Sequence, residues 1–157
     1  MTPPLKVYKT LPLWNRDSFP KNFQTQHNTA EGTWAQLHIV SGQLRYSALD
    51  AEGKVLASTV FSKDNPPPLV EPQAWHKVEP LPGEDFACYL EFLCLPEAYY
   101  QKKYGVAKPH ADVEALMKYL ADTNAQRSTT ALKALDLGSG KGRNSFFLHS
   151  QGFQVTA

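Results

Sequence analysis

Ala134-Leu135-Asp136-Leu137-Gly138-Ser139-Gly140-Lys141-Gly142-Arg143-Asn144 is the stretch whose reading decides this chain. An apolar run, read as a buried strand, ends in an acid, three glycines alternate with single residues, and a helix-compatible segment follows. Strand, tight turn and helix start in that order build a nucleotide-sized cradle beyond the carboxyl ends of the strands of a doubly wound α/β sheet. Glycine removes side chains where backbone must approach a ligand closely. Asp136 offers its carboxylate at the end of the strand. The spacing is G-x-G-x-G, and Arg143 stands where a dinucleotide fingerprint needs its last glycine. Lys141 is followed by Gly142, so this is not a P-loop either. A generic glycine-rich strand–helix turn is the competing reading.

C-terminal to the turn, Arg143 to Gln151 reads as a helix and Phe153-Gln154-Val155-Thr156-Ala157 as a second strand. Only Ala131 to Ala157, 27 residues, stand on this side, against roughly 30 for one βαβ unit. A lone two-stranded piece is marginal in water, so the expectation is that this unit is incomplete.

N-terminal to it the pattern is different. Residues 1–24 read as irregular, with apolar anchors Leu13, Trp14, Phe19 and Phe23. From Gly32 short alternating runs begin. Trp34 to Val40 is a strand, Ser41-Gly42 a turn, Gln43 to Leu49 a strand, Asp50 to Gly53 a hairpin turn, and Lys54 to Phe61 a strand. Asn65-Pro66-Pro67-Pro68 is loop, because proline cannot donate to a ladder. Shorter strands follow at Leu69–Val70, Trp75–Val78 and Phe86–Leu95. Many short strands with regular turn signals point to a β-sandwich or barrel. Pro96 to Tyr104 reads as a short helix stopped by Gly105. A second helix covers about Asp112 to Asp122, with Val113, Leu116, Met117 and Leu120 on one stripe. Thr123 to Thr130 reads as a polar linker.

Composition narrows the classes. Hydrophobic residues are 42% and charged residues 20%, which suits a folded rather than a disordered chain. Sixteen basic residues face fifteen acidic ones with no basic block, so no nucleic-acid footprint is indicated. No secretory h-region and no membrane-length apolar run occurs, which predicts a cytoplasmic protein. Cys88 and Cys94 on one strand would lie about 20 Å apart at 3.3 Å per residue. That exceeds the roughly 7 Å a disulfide permits, so both read as free core thiols.

Three histidines fall in the β region. His38 shares a strand face with Trp34, Gln36 and Val40, opposite Ala35, Leu37 and Ile39, and reads as outward-facing. His27 and His76 remain as candidate metal ligands. Glu91, between Leu90 and Phe92, is the best third, since an unpaired carboxylate among apolar neighbours is costly to bury and a divalent cation would explain it. In the opposing reading Glu91 faces solvent and both histidines are merely hydrogen-bonded.

Two resemblances sharpen this picture. The blocks His27-Asn28-Thr29 to Gly42 and Pro72 to His76 resemble the two motifs of the cupins, small β-barrels that hold a metal or small ligand. The usual His-x-His is replaced by His27-Asn28-Thr29, and Pro72 stands one place closer to its histidine than usual. The run Asp136 to Gly142 resembles motif I of the class I S-adenosylmethionine-dependent methyltransferases. There the acid contacts the cofactor's methionine end and the glycines line its nucleoside, which implies Asp136, Gly138, Gly140 and Gly142 as cofactor-binding residues. Barrel and motif together look like the TehB-type tellurite-resistance methyltransferases. The likeness runs from Leu13-Trp14 through Glu71-Pro72-Gln73-Ala74-Trp75-His76 and Lys102-Lys103-Tyr104 to Gly142-Arg143-Asn144-Ser145.

The resemblance implies a mainly β fold: a cupin-like jelly-roll barrel over residues 1–105, helix and linker over 106–130, and the first β-α-β fragment of a Rossmann-like domain over 131–157. It implies S-adenosylmethionine as cofactor and tellurite or selenite as substrate. It adds a homodimer, since cupins associate through their sheets. The family's ribose-binding acid after the second strand is not among these residues, and methyl transfer needs donor and acceptor held in line at close range. The expectation is therefore a chain inactive alone, with a stand-alone binding module as the rival.

Overall fold

Alternation sets the first half of the molecule. Along β3 (Trp34–Ser41), Ala35, Leu37 and Ile39 are buried while the residues between them are not, as a strand with one face on a core requires. β3 pairs antiparallel with β7 (Ala87–Cys94). The far side of β7 carries β1 (Lys6–Thr10) and the two-residue β2 (Trp14–Asn15). A second sheet has the order β5-β4-β6, from β5 (Val55–Ser62), β4 (Gln43–Leu49) and β6 (His76–Pro80). The structure, a computed structural model, describes residues 4–123 and 132–157. By contacts it divides into two units, Met1–Leu95 and Pro96–Ala157.

Ser41-Gly42 is not a hairpin turn. β3 and β4 lie in different sheets, and Gly42 is the corner between them. Its φ of +71° is the left-handed region that favours glycine. A Cβ there would stand 2.2 Å from the Asp85 carbonyl oxygen and 2.8 Å from Phe86 Cα. By contrast, Asp50 to Gly53 closes β4 onto β5 as the sequence indicates, with Gly53 N–H donating to Asp50 O and Lys54 N–H to the Asp50 carboxylate.

The two sheets share one core. Phe19, Leu37, Ile39, Leu44, Val78, Phe86 and Cys88 form a buried cluster, with Trp14, Phe23, Tyr46, Phe61 and Leu90 packed on it. Phe19 meets Phe86 edge-on at 5.4 Å, a geometry worth about 0.5–1.5 kcal/mol beyond burial. The N-terminal segment, expected to be irregular, thus supplies edge strands and core rings. Of its expected anchors only Leu13 stays out, 60% exposed. Leu69–Val70 is no strand; Val70 makes a single bridge to Ala35. Among the described residues of the first unit the strands form two sheets and no closed barrel.

Both cysteines are buried and neither is in a disulfide, and burial pushes the Cys88 thiol up to about 12. No described helix is long and apolar enough to cross a membrane.

In the second unit, Pro96–Ala98 is a 3-10 turn leading into α1 (Tyr99–Tyr104), which stops at left-handed Gly105. α2 spans Ala111–Asp122. Of its expected stripe Met117 is buried, whereas Leu116 is 51% exposed. The expected polar linker, beyond Thr123, lies outside the described residues. Then β8 (Lys133–Leu135), α3 (Arg143–Ser150) and β9 (Gln154–Thr156) form a βαβ unit with a parallel pair. The expectation of a buried strand before Asp136 is not met. Leu135 is 65% and Leu137 83% exposed, because a two-stranded sheet gives them no opposing layer.

The corner yields a direct test. Gly42→Ala is expected to lower unfolding stability by about 3 kcal/mol or more, since left-handed strain and a backbone clash add. Gly83→Ala, at φ +77° with nothing within 4 Å of the new Cβ, should lose only about 1 kcal/mol. Urea denaturation of both variants measures the difference.

Candidate functional site

The glycine-rich turn grows out of the β8–β9 ladder. The Asp136 N–H donates to the Thr156 carbonyl at 2.8 Å, which holds the residue at the carboxyl end of its strand. Its Oδ2 accepts from the Ser145 hydroxyl at 2.5 Å. Ser145 lies in the first turn of α3, so one short bond locks the acid to the helix that follows the glycines. Gly138 and Gly140 have φ of +70° and +56°, and nothing lies within 4 Å of where a Cβ would stand. The turn therefore needs glycine for its backbone and leaves open space beside it. Gly142 caps α3 without a side-chain bond, so the first N–H groups of the helix face outward and favour an electron-rich ligand group.

Aromatic rings back this turn. Phe146 stacks on Tyr100 at 4.7 Å and lies nearly parallel to Tyr104 at 6.2 Å. The Asn144 side chain accepts from His110 N–H at 2.8 Å, tying the start of α2 to α3. Ser145 and the two tyrosines carried no weight as site residues in the sequence. Their signal would have been the i, i+9 spacing of Asp136 and Ser145 across strand, turn and first helical turn.

In the first unit a cavity of about 80 Å³ opens between the sheets, lined by His27, His76, Tyr46, Thr29, Leu90 and Phe92 among others. His27 and His76 exchange both backbone hydrogen bonds, at 3.0 and 2.9 Å. Directly paired residues in an antiparallel ladder point to the same side, and the two rings lie 4.2 Å apart. Each Nδ1 is 2.8 Å from the carbonyl oxygen two residues before it, Thr25 for His27 and Ala74 for His76. A carbonyl only accepts, so each Nδ1 carries a proton, and a ring that is neutral keeps its lone pair on Nε2. Tyr46 stacks on His76 at 5.4 Å, and burial raises its phenol further above the usual range. Burial lowers the His76 pKa; the Ala74 bond opposes this, and the nearby His27 charge adds to it.

The expected metal set of His27, His76 and Glu91 is not assembled. Leu90 and Phe92 line the cavity, so strand alternation turns Glu91 to the opposite face of β7. There its Oε2 meets His38 Nε2 at 2.9 Å, and His38 stacks on Tyr89 at 4.6 Å. His38 is outward-facing as expected; its direct partner across the ladder is Tyr89, and Glu91 stands two places further along β7 on the same outer face. Among the described residues no group of three or more His, Cys, Asp or Glu is placed to hold a metal ion.

With the geometry in place, comparison with known proteins is informative. A TehB-like domain model matches residues 9–90, and a model for tellurite resistance protein TehB matches 92–157. A probable S-adenosyl-L-methionine-dependent methyltransferase TehB of Haemophilus influenzae (strain ATCC 51907 / DSM 11121 / KW20 / Rd) is 40% identical over 153 residues, 98% of this chain and 50% of that protein. The crystal structure of TehB from Haemophilus influenzae superposes with a TM-score of 0.80 at 40% identity, over 99% of this chain and 51% of that one. A solved protein of E. coli strain K12 shares fold alone, at 17% identity and a TM-score of 0.52, over 59% of this chain and 93% of that one. The chain thus spans about half the length of the curated relative described.

The His76 environment predicts a pH response. Its folded pKa lies below the ordinary 6.5, so the unfolded state takes up its proton first as pH falls. The stabilisation is complete above 6.5 and is lost as pH falls through the folded value. Urea midpoints at pH 7.5 and 5.5 should differ for the natural chain, and the gap should narrow in His76→Gln. An unchanged gap would show that other groups carry it.

Proposed function

Because the chain belongs to the TehB family, we propose that it contributes the donor-binding start of an S-adenosyl-L-methionine-dependent methyltransferase, joined to a cupin-like first domain. One observation carries this reading: Asp136, locked to Ser145, closes an open left-handed glycine turn at the start of α3. S-adenosyl-L-methionine, when bound, supplies an activated methyl group on a sulfonium. The residues present suit it. The Asp136 carboxylate, with Ser145 holding one of its oxygens, would hold the cationic amino-acid end. Gly138 and Gly140 leave room for the nucleoside, and the α3 N–H groups meet electron-rich oxygen atoms. The methyl acceptor, on this reading, is a tellurium or selenium oxyanion, and the setting is cytoplasmic, in keeping with two free buried thiols.

β8 and β9, three residues each, build a Rossmann-like beginning. Methyl transfer needs further strands to wall the donor and to position the acceptor. These 157 residues alone are therefore proposed to be inactive in methyl transfer.

The cavity favours a second reading for the first unit, a small-ligand binding module. The two Nε2 atoms, when their rings are neutral, accept hydrogen bonds or a cation.

Titration calorimetry with S-adenosyl-L-methionine tests the main reading in a polypeptide of the relatives' length. Asp136→Ala should weaken donor binding at least tenfold, about 1.4 kcal/mol, and Gly140→Val should abolish it. Full affinity in both variants would remove the glycine turn as the donor site. The 157 residues alone should give no methylated tellurium product in headspace chromatography.

A further inference from the structure

The cavity between the sheets of the first unit contains two ring nitrogens that the fold leaves unused. Of the other polar groups that line it, the Thr29 hydroxyl donates to Glu71 O and Asn28 Nδ2 to Gln73 O. His27 and His76 each give Nδ1–H to a backbone carbonyl, and neither Nε2 has a partner among the described residues. His76 is only 5% exposed. Yet no fully buried side-chain nitrogen or oxygen among the described residues lacks a hydrogen bond. His76 Nε2 is therefore reached through the cavity that its ring lines.

The turn that sets the His76 ring is strained. Among the described residues Gln73 is the one non-glycine with a left-handed φ, at +62°, which residues with a Cβ rarely adopt. Its N–H donates to Thr29 O, and the Ala74 N–H donates to Glu71 O. The turn is thus tied to the cavity wall, and it delivers the Ala74 carbonyl to His76 Nδ1. Strain of this kind collects at sites that must be held in one geometry.

The remaining walls select the guest. Trp14, Phe23, Tyr46 and Phe92 supply rings, and Leu37 and Leu90 aliphatic surface. No Asp, Glu, Lys or Arg lines the cavity, so a charged guest would be desolvated without a counter-charge. Burial holds His76 below the ordinary histidine range, in the neutral form at neutral pH, and that form accepts at Nε2. The space is about 80 Å³. One water needs roughly 10–15 Å³, so a single six-membered ring has room. Aromatic walls favour an aromatic guest through offset and edge-to-face pairs.

We infer that this cavity binds a small uncharged phenol, with its ring against the aromatic walls and its hydroxyl donating to Nε2 of His76 or His27. The two imidazoles lie 4.2 Å apart, so one hydroxyl serves either. The assignment rests on the first unit being a small-ligand binding module, and it names the class of ligand.

Fluorine NMR titration of the 157-residue chain at neutral pH with para-fluorophenol tests this. Fluorobenzene is the twin without a hydroxyl, and para-fluorobenzoate and para-fluorobenzylammonium are the charged counterparts. Para-fluorophenol should occupy a single site, with fluorobenzene about fivefold to tenfold weaker, the worth of one hydrogen bond. Neither ion should bind. His76→Phe keeps a ring and removes its nitrogens, so the phenol's advantage should shrink while fluorobenzene still binds. Nitrogen NMR of the histidine rings needs no variant: para-fluorophenol should shift the Nε2 resonance of His76 or His27, and fluorobenzene should not. Unmoved Nε2 resonances overturn the proposed seat. Equal affinity for the phenol and fluorobenzene overturns the phenol assignment and leaves the binding module standing. Binding of neither removes the module as well. Tighter binding of either ion overturns the uncharged guest.

Discussion

Gly42 is the constraint on which the first unit rests. The chain must leave one sheet and enter the other within a single residue, and it does so against the backbone of Asp85 and Phe86. No Cβ fits in that gap. The close approach stacks the two sheets face to face, so that Leu37 and Ile39 of one and Leu44 of the other share a core. His27 and His76 are set side by side by a different contact, the antiparallel bridge at the start of β6. A glycine read from sequence as a turn residue is thus the joint of a two-layer structure.

Much of the fold was legible because the signals were local. The alternation of Trp34 to Val40, the Asp50–Gly53 turn and the proline–glycine bounds of α1 each belong to one segment and fall where expected. What the sequence hid was non-local. β1 and β2 are too short to show a period, and they exist because β7 offers them an edge. The two-sheet arrangement depends on which strands pair, and no alternation pattern states that. Glu91 is a different kind of miss. Its flanking Leu90 and Phe92 suggested burial, whereas the same alternation, followed one step further, puts a residue between two inward-facing neighbours on the outer face.

The glycine-rich unit shows the converse. Strand, acid, glycines and helix were all readable, and the structure adds the bond from Ser145 that fixes the acid. Exposure was not readable. Leu135 and Leu137 are apolar because a larger sheet would bury them, and a two-stranded sheet cannot. Sequence pattern records the environment a residue suits, while exposure in a given polypeptide depends on how many layers are present.

The depth of the two sulfurs has a chemical consequence for the proposed activity. Oxyanions of the heavier chalcogens are oxidants toward thiolates. At a pKa of about 12, Cys88 holds only about one part in 10⁵ as thiolate at neutral pH, and its sulfur is out of contact with solvent. On the proposed reading, the chain keeps its own reducing equivalents sealed away from such reagents.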